Sequence, residues 1–158
     1  MLRVASVGSG SKGNATLVAS EETTLLIDCG FPAREMLSRL DQINADIADI
    51  DAILVTHEHS DHVGGVAAVS RAAGAPIYAT HGTLTSGKLE GARTIVEIES
   101  DSEFAIGDIE VSAITVPHDA KEPVQYVFKH AARRIGVLTD LGMVCLLYTS
   151  PSPRDIGE

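Results

Sequence analysis

Residues 57–62 read HEHSDH, which packs three of the chain's six histidines and two carboxylates into one short stretch. Imidazole nitrogen and carboxylate oxygen are the ligands that divalent first-row metals accept, at about 2.0–2.2 Å from the ion. His57 and His59 stand two apart in what reads as an extended segment, so they project to the same side and can grip one ion. Asp61 and His62 follow where the chain turns into a helix and can face a second ion. The alternative is a solvent-exposed histidine-rich loop in which Asp61 caps the following helix.

A strand-to-loop-to-helix turn is what this spacing requires, and the flanking sequence predicts one. The run AILVT (52–56) is continuously apolar, so it reads as a strand buried on both faces that delivers the chain into His57. After the cluster, VGGVAAVSRAAG (63–74) reads as a helix stopped by Gly74. Upstream, strands are predicted at 2–8, 15–20 and 23–30, followed by a helix over 32–43. That helix has Pro32 at its first position, with Met36, Leu37, Leu40 and Ile43 as a buried stripe. Downstream, strands are predicted at 76–80, 94–99, 109–116, 124–128 and 134–140. Three more ligand-type residues stand just past strands: Asp28 in LLIDCG, His118 in PHDA and Asp140 in VLTDLG.

The chain has 158 residues, 44% hydrophobic and 22% charged, which suits one globular α/β domain and excludes a disordered chain. No run reaches the roughly 20 apolar residues of a membrane span. The first residues, MLRVASVGSGSKGN, lack a signal-peptide core, so a cytoplasmic location is expected. Cys29 and Cys145 make no disulfide framework. A net charge of −10 argues against a protein that coats nucleic acid through a basic surface. It leaves a nucleic-acid enzyme open, because two bound divalent cations would add positive charge where a phosphate must sit.

HEHSDH fits the H-x-H-x-D-H signature, and the order Asp28, cluster, His118, Asp140 resembles the first four motifs of the metallo-β-lactamase superfamily. The resemblance runs from about residue 2 to about residue 144. It implies an αββα four-layer sandwich, of which this chain supplies the N-terminal portion. It also implies two divalent metal ions, zinc or manganese with iron as a further option. His57, His59 and His118 would hold one, Asp61 and His62 would help hold the other, and Asp140 would bridge them. Asp28 would sit behind the ligands and orient a ligand histidine. Two such ions lower the pKa of a shared water, so the implied nucleophile is a bridging hydroxide that Asp61 both holds and orients.

Within the superfamily, GSGSKGN, DCGFPAREM and PHDAKEPVQYVF resemble small bacterial hydrolases of the WalJ/YycJ-like branch, which is associated with DNA exonuclease activity. The implied function is a metal-dependent phosphodiesterase acting on DNA. A thioester or lactone hydrolase of the same fold is the alternative, and a non-functional truncated product is a third reading. In true β-lactamases a cysteine commonly occupies the Asp140 position, which disfavours a lactam substrate.

The turn GSGSKGN is either a flexible hairpin connection or a small anion nest. In the second case Ser11, Lys12 and Asn14 are candidate substrate contacts, as is Asp119 beside His118. His81 and His130 read as surface histidines, and Cys29 as a buried apolar side chain.

The family's second metal normally takes one more histidine from a fifth motif, and no histidine follows His130. The strand pattern is expected to break after Val144, at CLLYTSPSPRD. That segment resembles the translation of a transposon-end sequencing adapter, against the alternative of a genuine Pro/Ser-rich tail. Residues 1–144 are therefore expected to be an incomplete domain and 145–158 a non-native tail. The incomplete domain is expected to expose apolar sheet surface.

Overall fold

The computed structural model describes residues 1–117, 119–138 and 143–148. Six strands make the first sheet in chain order: β1 (Arg3–Gly8), β2 (Ala15–Ala19), β3 (Thr24–Ile27), β4 (Ala52–Leu54), β5 (Ile77–Thr80) and β6 (Ile95–Ile98). The first three are antiparallel, whereas β3 to β6 run parallel. Helices fill the crossovers: α1 (Ala33–Gln42), α2 (Ser60–Val63), α3 (Val66–Ala73) and the short α4 (His81–Leu84). The second sheet is antiparallel throughout, with β7 (Ser102–Ile106), β8 (Ile109–Thr115), β9 (Val124–His130), β10 (Arg133–Leu138) and β11 (Met143–Tyr148) side by side.

Two cores follow from the alternation of side chains along the central strands. Leu26, Ile53, Val55 and Ile77 face the helices and pack with Met36, Leu40, Val66 and Val69. Leu25, Ile27, Ala52 and Leu54 face the other way, against Val111, Ala113, Tyr126 and Phe128 of the second sheet. The strand predicted at 52–56 is thus buried on both faces, as its unbroken apolar run implies. Helix, sheet and sheet are three successive layers of the expected sandwich. The buried Tyr126 hydroxyl donates to the Val55 carbonyl at 2.7 Å, a polar tie between the sheets beside the histidine cluster.

Several local expectations change. Pro32 is the N-cap of α1, one residue before the first helical position. Only Met36 and Leu40 of the expected stripe are buried; Leu37 is 48% exposed and Ile43 40% exposed. Leu37 lies about 100° further around the helix, and Ile43 is already the C-cap. The helix expected over 63–74 divides at Gly64 and Gly65 into α2 and α3, and Gly74 does end it, with φ +69°. The strand β7 was not predicted. Glu103 and Ala105 are exposed, alternating with the half-buried Ser102 and Phe104, and only Ile106 is buried.

The strand pattern also does not break after Val144, since β11 continues to Tyr148 in antiparallel register with β10. Among the described residues, the outward face of the second sheet carries Glu103, Glu110, Lys129 and Arg134. Ile114, 43% exposed, and the half-buried Val127 are its main apolar side chains. On β7 and β8, exposed or half-buried side chains alternate with the core positions.

Candidate metal centre

The cluster sits where the parallel strands β3 and β4 end, and both ends supply it. Asp28 follows β3 in a left-handed conformation, φ +60°, that aspartate tolerates better than most residues. Its amide donates to the Leu54 carbonyl at 2.9 Å, which fixes the end of β3 against the end of β4. Its carboxylate is completely buried and accepts three hydrogen bonds. Oδ1 takes the Thr56 amide at 2.8 Å, and Oδ2 takes the Thr56 hydroxyl at 2.7 Å and His62 Nδ1 at 2.8 Å. A buried carboxylate is tolerable when its lone pairs are used in this way.

These contacts assign protons. A threonine hydroxyl carries a single hydrogen, and here it goes to Asp28. The 2.9 Å contact between Thr56 Oγ1 and His57 Nδ1 must then have the imidazole as donor. His62 Nδ1 likewise donates to Asp28. Both rings are held in the tautomer whose Nε2 carries the lone pair, which is the form that binds a metal.

The His57 and His62 rings are buried, with centroids 4.2 Å apart, and the half-buried His59 ring meets His57 edge-on at 4.6 Å. Asp61 belongs to the first turn of α2, whose N-cap is His59, so Asp61 does not cap that helix. Its Oδ2 lies 3.6 Å from His62 Nε2.

Asn14 closes the cluster from the glycine-rich turn. Its amide nitrogen donates to the Gly10 carbonyl at 3.0 Å and to the Asp61 carbonyl at 3.1 Å, and it reaches Asp61 Oδ2 at 3.2 Å and His62 Nε2 at 3.3 Å. Its Oδ1 accepts the Gly10 amide at 3.2 Å. Asn14 is 5% exposed. It braces the turn onto the cluster, with its amide nitrogen and oxygen both hydrogen-bonded within the protein.

Two glycines allow the segments to come this close. A β-carbon at Gly30 would overlap the Asp61 carbonyl, and one at Gly65 would overlap the Phe31 carbonyl. The backbone bonds from Cys29 to His62 and from Gly65 to Cys29, both 2.8 Å, run through the same gap.

Asp28, His57, His59, Asp61, His62 and Asn14 therefore come together. Ser11 and Lys12 are exposed on the adjoining turn, and Asp119 is exposed beyond β8. His118 and Asp140 lie outside the described residues. Among the described residues, no group of three or more histidine, cysteine, aspartate or glutamate side chains is already arranged to hold a metal ion. The donors nevertheless fit one in type and in proton placement. Thr56 and Glu58 were missed by sequence reasoning, though a threonine closing an apolar run just before a ligand cluster was a readable signal.

The remaining candidates fall elsewhere. His81 is exposed and 3.2 Å from Glu97, and His130 lies 3.1 Å from Asp108. Cys29 is buried, with its Sγ 3.3 Å from the Phe31 carbonyl, and burial pushes its thiol up to about 11. A cleft of about 330 Å³ lined by Arg3, Thr24, Ile43 and Ile50 lies at the opposite end of β3 and β4, away from the cluster. No described helix is long and apolar enough to cross a membrane.

Comparison with known proteins places this geometry. The exodeoxyribonuclease YycJ of Bacillus anthracis is 36% identical over 87% of this chain and 54% of its own length. The exodeoxyribonuclease WalJ of Streptococcus pneumoniae is 34% identical over the same shares. The chain thus spans about half the length of these relatives. Among solved structures, the Rm3 metallo-beta-lactamase superposes with a TM-score of 0.70 at 20% identity, covering 90% of this chain and 56% of that one. A family model described as the metallo-beta-lactamase superfamily matches residues 8–151, a span that holds the whole histidine cluster. With its two-sheet fold and its H-x-H-x-D-H turn at the ends of parallel strands, the chain belongs to the metallo-beta-lactamase superfamily.

Proposed function

We propose that the chain carries the metal-binding half of a DNA phosphodiesterase, an exonuclease that works with two divalent cations. The observation that carries this reading is the shared anchoring of His57 and His62 on Asp28, directly for one ring and through Thr56 for the other. Both rings are thereby oriented through Nδ1, which leaves Nε2 of each for an ion. His57, His59 and His118 would hold one ion, and Asp61, His62 and Asp140 the other. Bound divalent cations supply Lewis acidity and charge neutralisation to a phosphodiester undergoing hydrolysis.

The protein's own residues do the positioning. Asp61 is one-third exposed and lies beside His62, so its carboxylate can accept a hydrogen bond from a water at the mouth of the site. Asn14 holds the Asp61 backbone, so that carboxylate does not drift. Lys12 on the turn and Lys88 and Lys121 beyond the cluster offer cations at the rim of an otherwise acidic chain. The relatives' names, exodeoxyribonucleases, support DNA as the substrate.

The test is a parallel assay of the chain with end-labelled DNA, a p-nitrophenyl phosphate diester, a thioester and a lactone. Each is run with zinc, with manganese and with a chelator. Metal-dependent shortening of DNA from one end is expected. Turnover of thioester or lactone with DNA untouched would replace the phosphodiesterase reading, and absence of metal binding would remove it.

A further inference from the structure

Glu58, the residue between His57 and His59, is 9% exposed although its position in an H-x-H stretch assigns it no metal. Its Oε2 accepts the backbone N–H of Lys121 at 3.0 Å, across 63 residues of sequence. Its carbonyl accepts Lys88 Nζ at 2.9 Å. Its Oε1 is buried with no hydrogen-bond partner among the described residues. An unpaired buried carboxylate oxygen costs stability, so packing alone does not account for a glutamate here.

The segment that Glu58 grips joins β8 to β9. Its downstream side is held at several further points. Glu122 Oε1 accepts the Gly82 amide at 2.8 Å and Oε2 the Ser100 hydroxyl at 2.7 Å, while its carbonyl accepts Thr80 Oγ1 at 2.9 Å. The Val124 amide donates to the Thr56 carbonyl at 3.0 Å. These bonds tie the segment to α4, to β5 and to the stretch before β7. Among the described residues, the Glu58 carboxylate ties it to the histidine stretch by a side chain. Lys121 stands three positions after residue 118 and two after Asp119 in the sequence.

We infer that Glu58 is a positioning residue: its carboxylate sets the distance between the HEHSDH turn and the β8–β9 segment, and so sets how well the two halves of the site meet. This rests on the metal-dependent reading above. The occupant of the middle position of H-x-H thus acts through Lys121 and not on substrate.

The experiment compares Glu58→Met and Glu58→Ala, which delete the acceptor, with Glu58→Gln, whose amide oxygen keeps it. Three quantities are read: hydrogen exchange at the Lys121 amide, zinc affinity, and kcat and KM on DNA. The Met and Ala variants are expected to lose protection at Lys121, to bind zinc about 10-fold more weakly and to lose about 10- to 100-fold in kcat. KM should stay within about twofold, and Glu58→Gln should restore all three readouts.

Unchanged zinc affinity and kcat in a folded Met or Ala variant would overturn the inference, as would failure of both to fold, which would make Glu58 a general structural residue. If the parent chain neither binds zinc nor cleaves DNA, the functional reading fails by itself. The exchange at Lys121 then decides separately, with retained protection in the Met or Ala variant overturning the clamp and lost protection rescued by Gln supporting it.

Discussion

Asp28 and Thr56 grip each other twice, amide to Oδ1 at 2.8 Å and hydroxyl to Oδ2 at 2.7 Å, at the adjacent ends of two parallel strands. This pair makes the carboxylate rigid and hands its charge on to two imidazoles. Thr56→Val keeps the shape and the amide bond but removes the hydroxyl, leaving His57 Nδ1 without its acceptor. A loss of about 1–3 kcal/mol in unfolding free energy is expected, with zinc affinity reduced about 10-fold. Thr56→Ser should recover most of both. Urea denaturation and calorimetric zinc titration check the two effects together.

Asp28→Asn is a harsher change than its size suggests. Oδ1 and Oδ2 both face donors, so either orientation of the amide sets an N–H against another hydrogen. A loss of about 3–5 kcal/mol is expected, in the range for breaking a buried charge-assisted network. Equal melting temperatures for Asp28→Asn and the parent would contradict the three-bond description of this carboxylate.

The close approach at the glycines gives a contrast between two single-methyl changes. Gly30→Ala drives a methyl into the Asp61 carbonyl, whereas Gly74→Ala meets nothing within 4 Å and suffers only from φ +69°. The first is expected to cost at least about 2–3 kcal/mol and to disturb the cluster. The second should cost about 1–2 kcal/mol and leave metal binding alone.

Cys29 links stability to alkaline pH. Burial raises its folded value from 9.0 to about 11, so the folded chain holds the proton more tightly than the unfolded chain does. The associated stability is present below pH 9 and falls as pH rises from about 9 to 11. Denaturation at pH 8, 9.5 and 11 should show this decline in the parent and a shallower one in Cys29→Ala. Iodoacetamide at pH 8 should label Cys29 only on unfolding.

The tail is decided at the level of DNA. The adapter resemblance of residues 145–158 stands beside a β11 strand that runs through Tyr148. The adapter reading predicts that amplifying the source locus across codon 144 yields other codons after Val144. Finding the same codons in the genome would make CLLYTSPSPRD a native segment.

The cluster was legible because its ligands are contiguous and their strand ends in an unbroken apolar run. Asp28 was legible from its place after a strand, and Cys29 from its alternation with Asp28. What the sequence could not display is cross-chain satisfaction. Asn14 reads only as part of a turn or a substrate contact and Glu58 carries no signal of its own; the bonds they make exist only once residues 47 and 63 positions away close on them. Leu37 and Ile43 were misread for a related reason. Helical periodicity identifies an apolar face, but the width of that face is set by what packs against it, and the exposed edge here finds no neighbour. The strand at 102–106 was missed because an edge position lets charged residues alternate with core ones.

The reach of the Glu58–Lys121 bond gives the site a history during synthesis. Asp28, Thr56, His57 and His62 can meet as soon as the chain has been made through the turn after β4. Glu58 waits for Lys121, 63 residues later. At about 5–20 residues per second that is an interval of roughly 3–13 s. Through it, the HEHSDH turn has been made and its opposing segment has not. The clamp is therefore a late contact of the chain, made after every other described residue of the histidine turn has been synthesised.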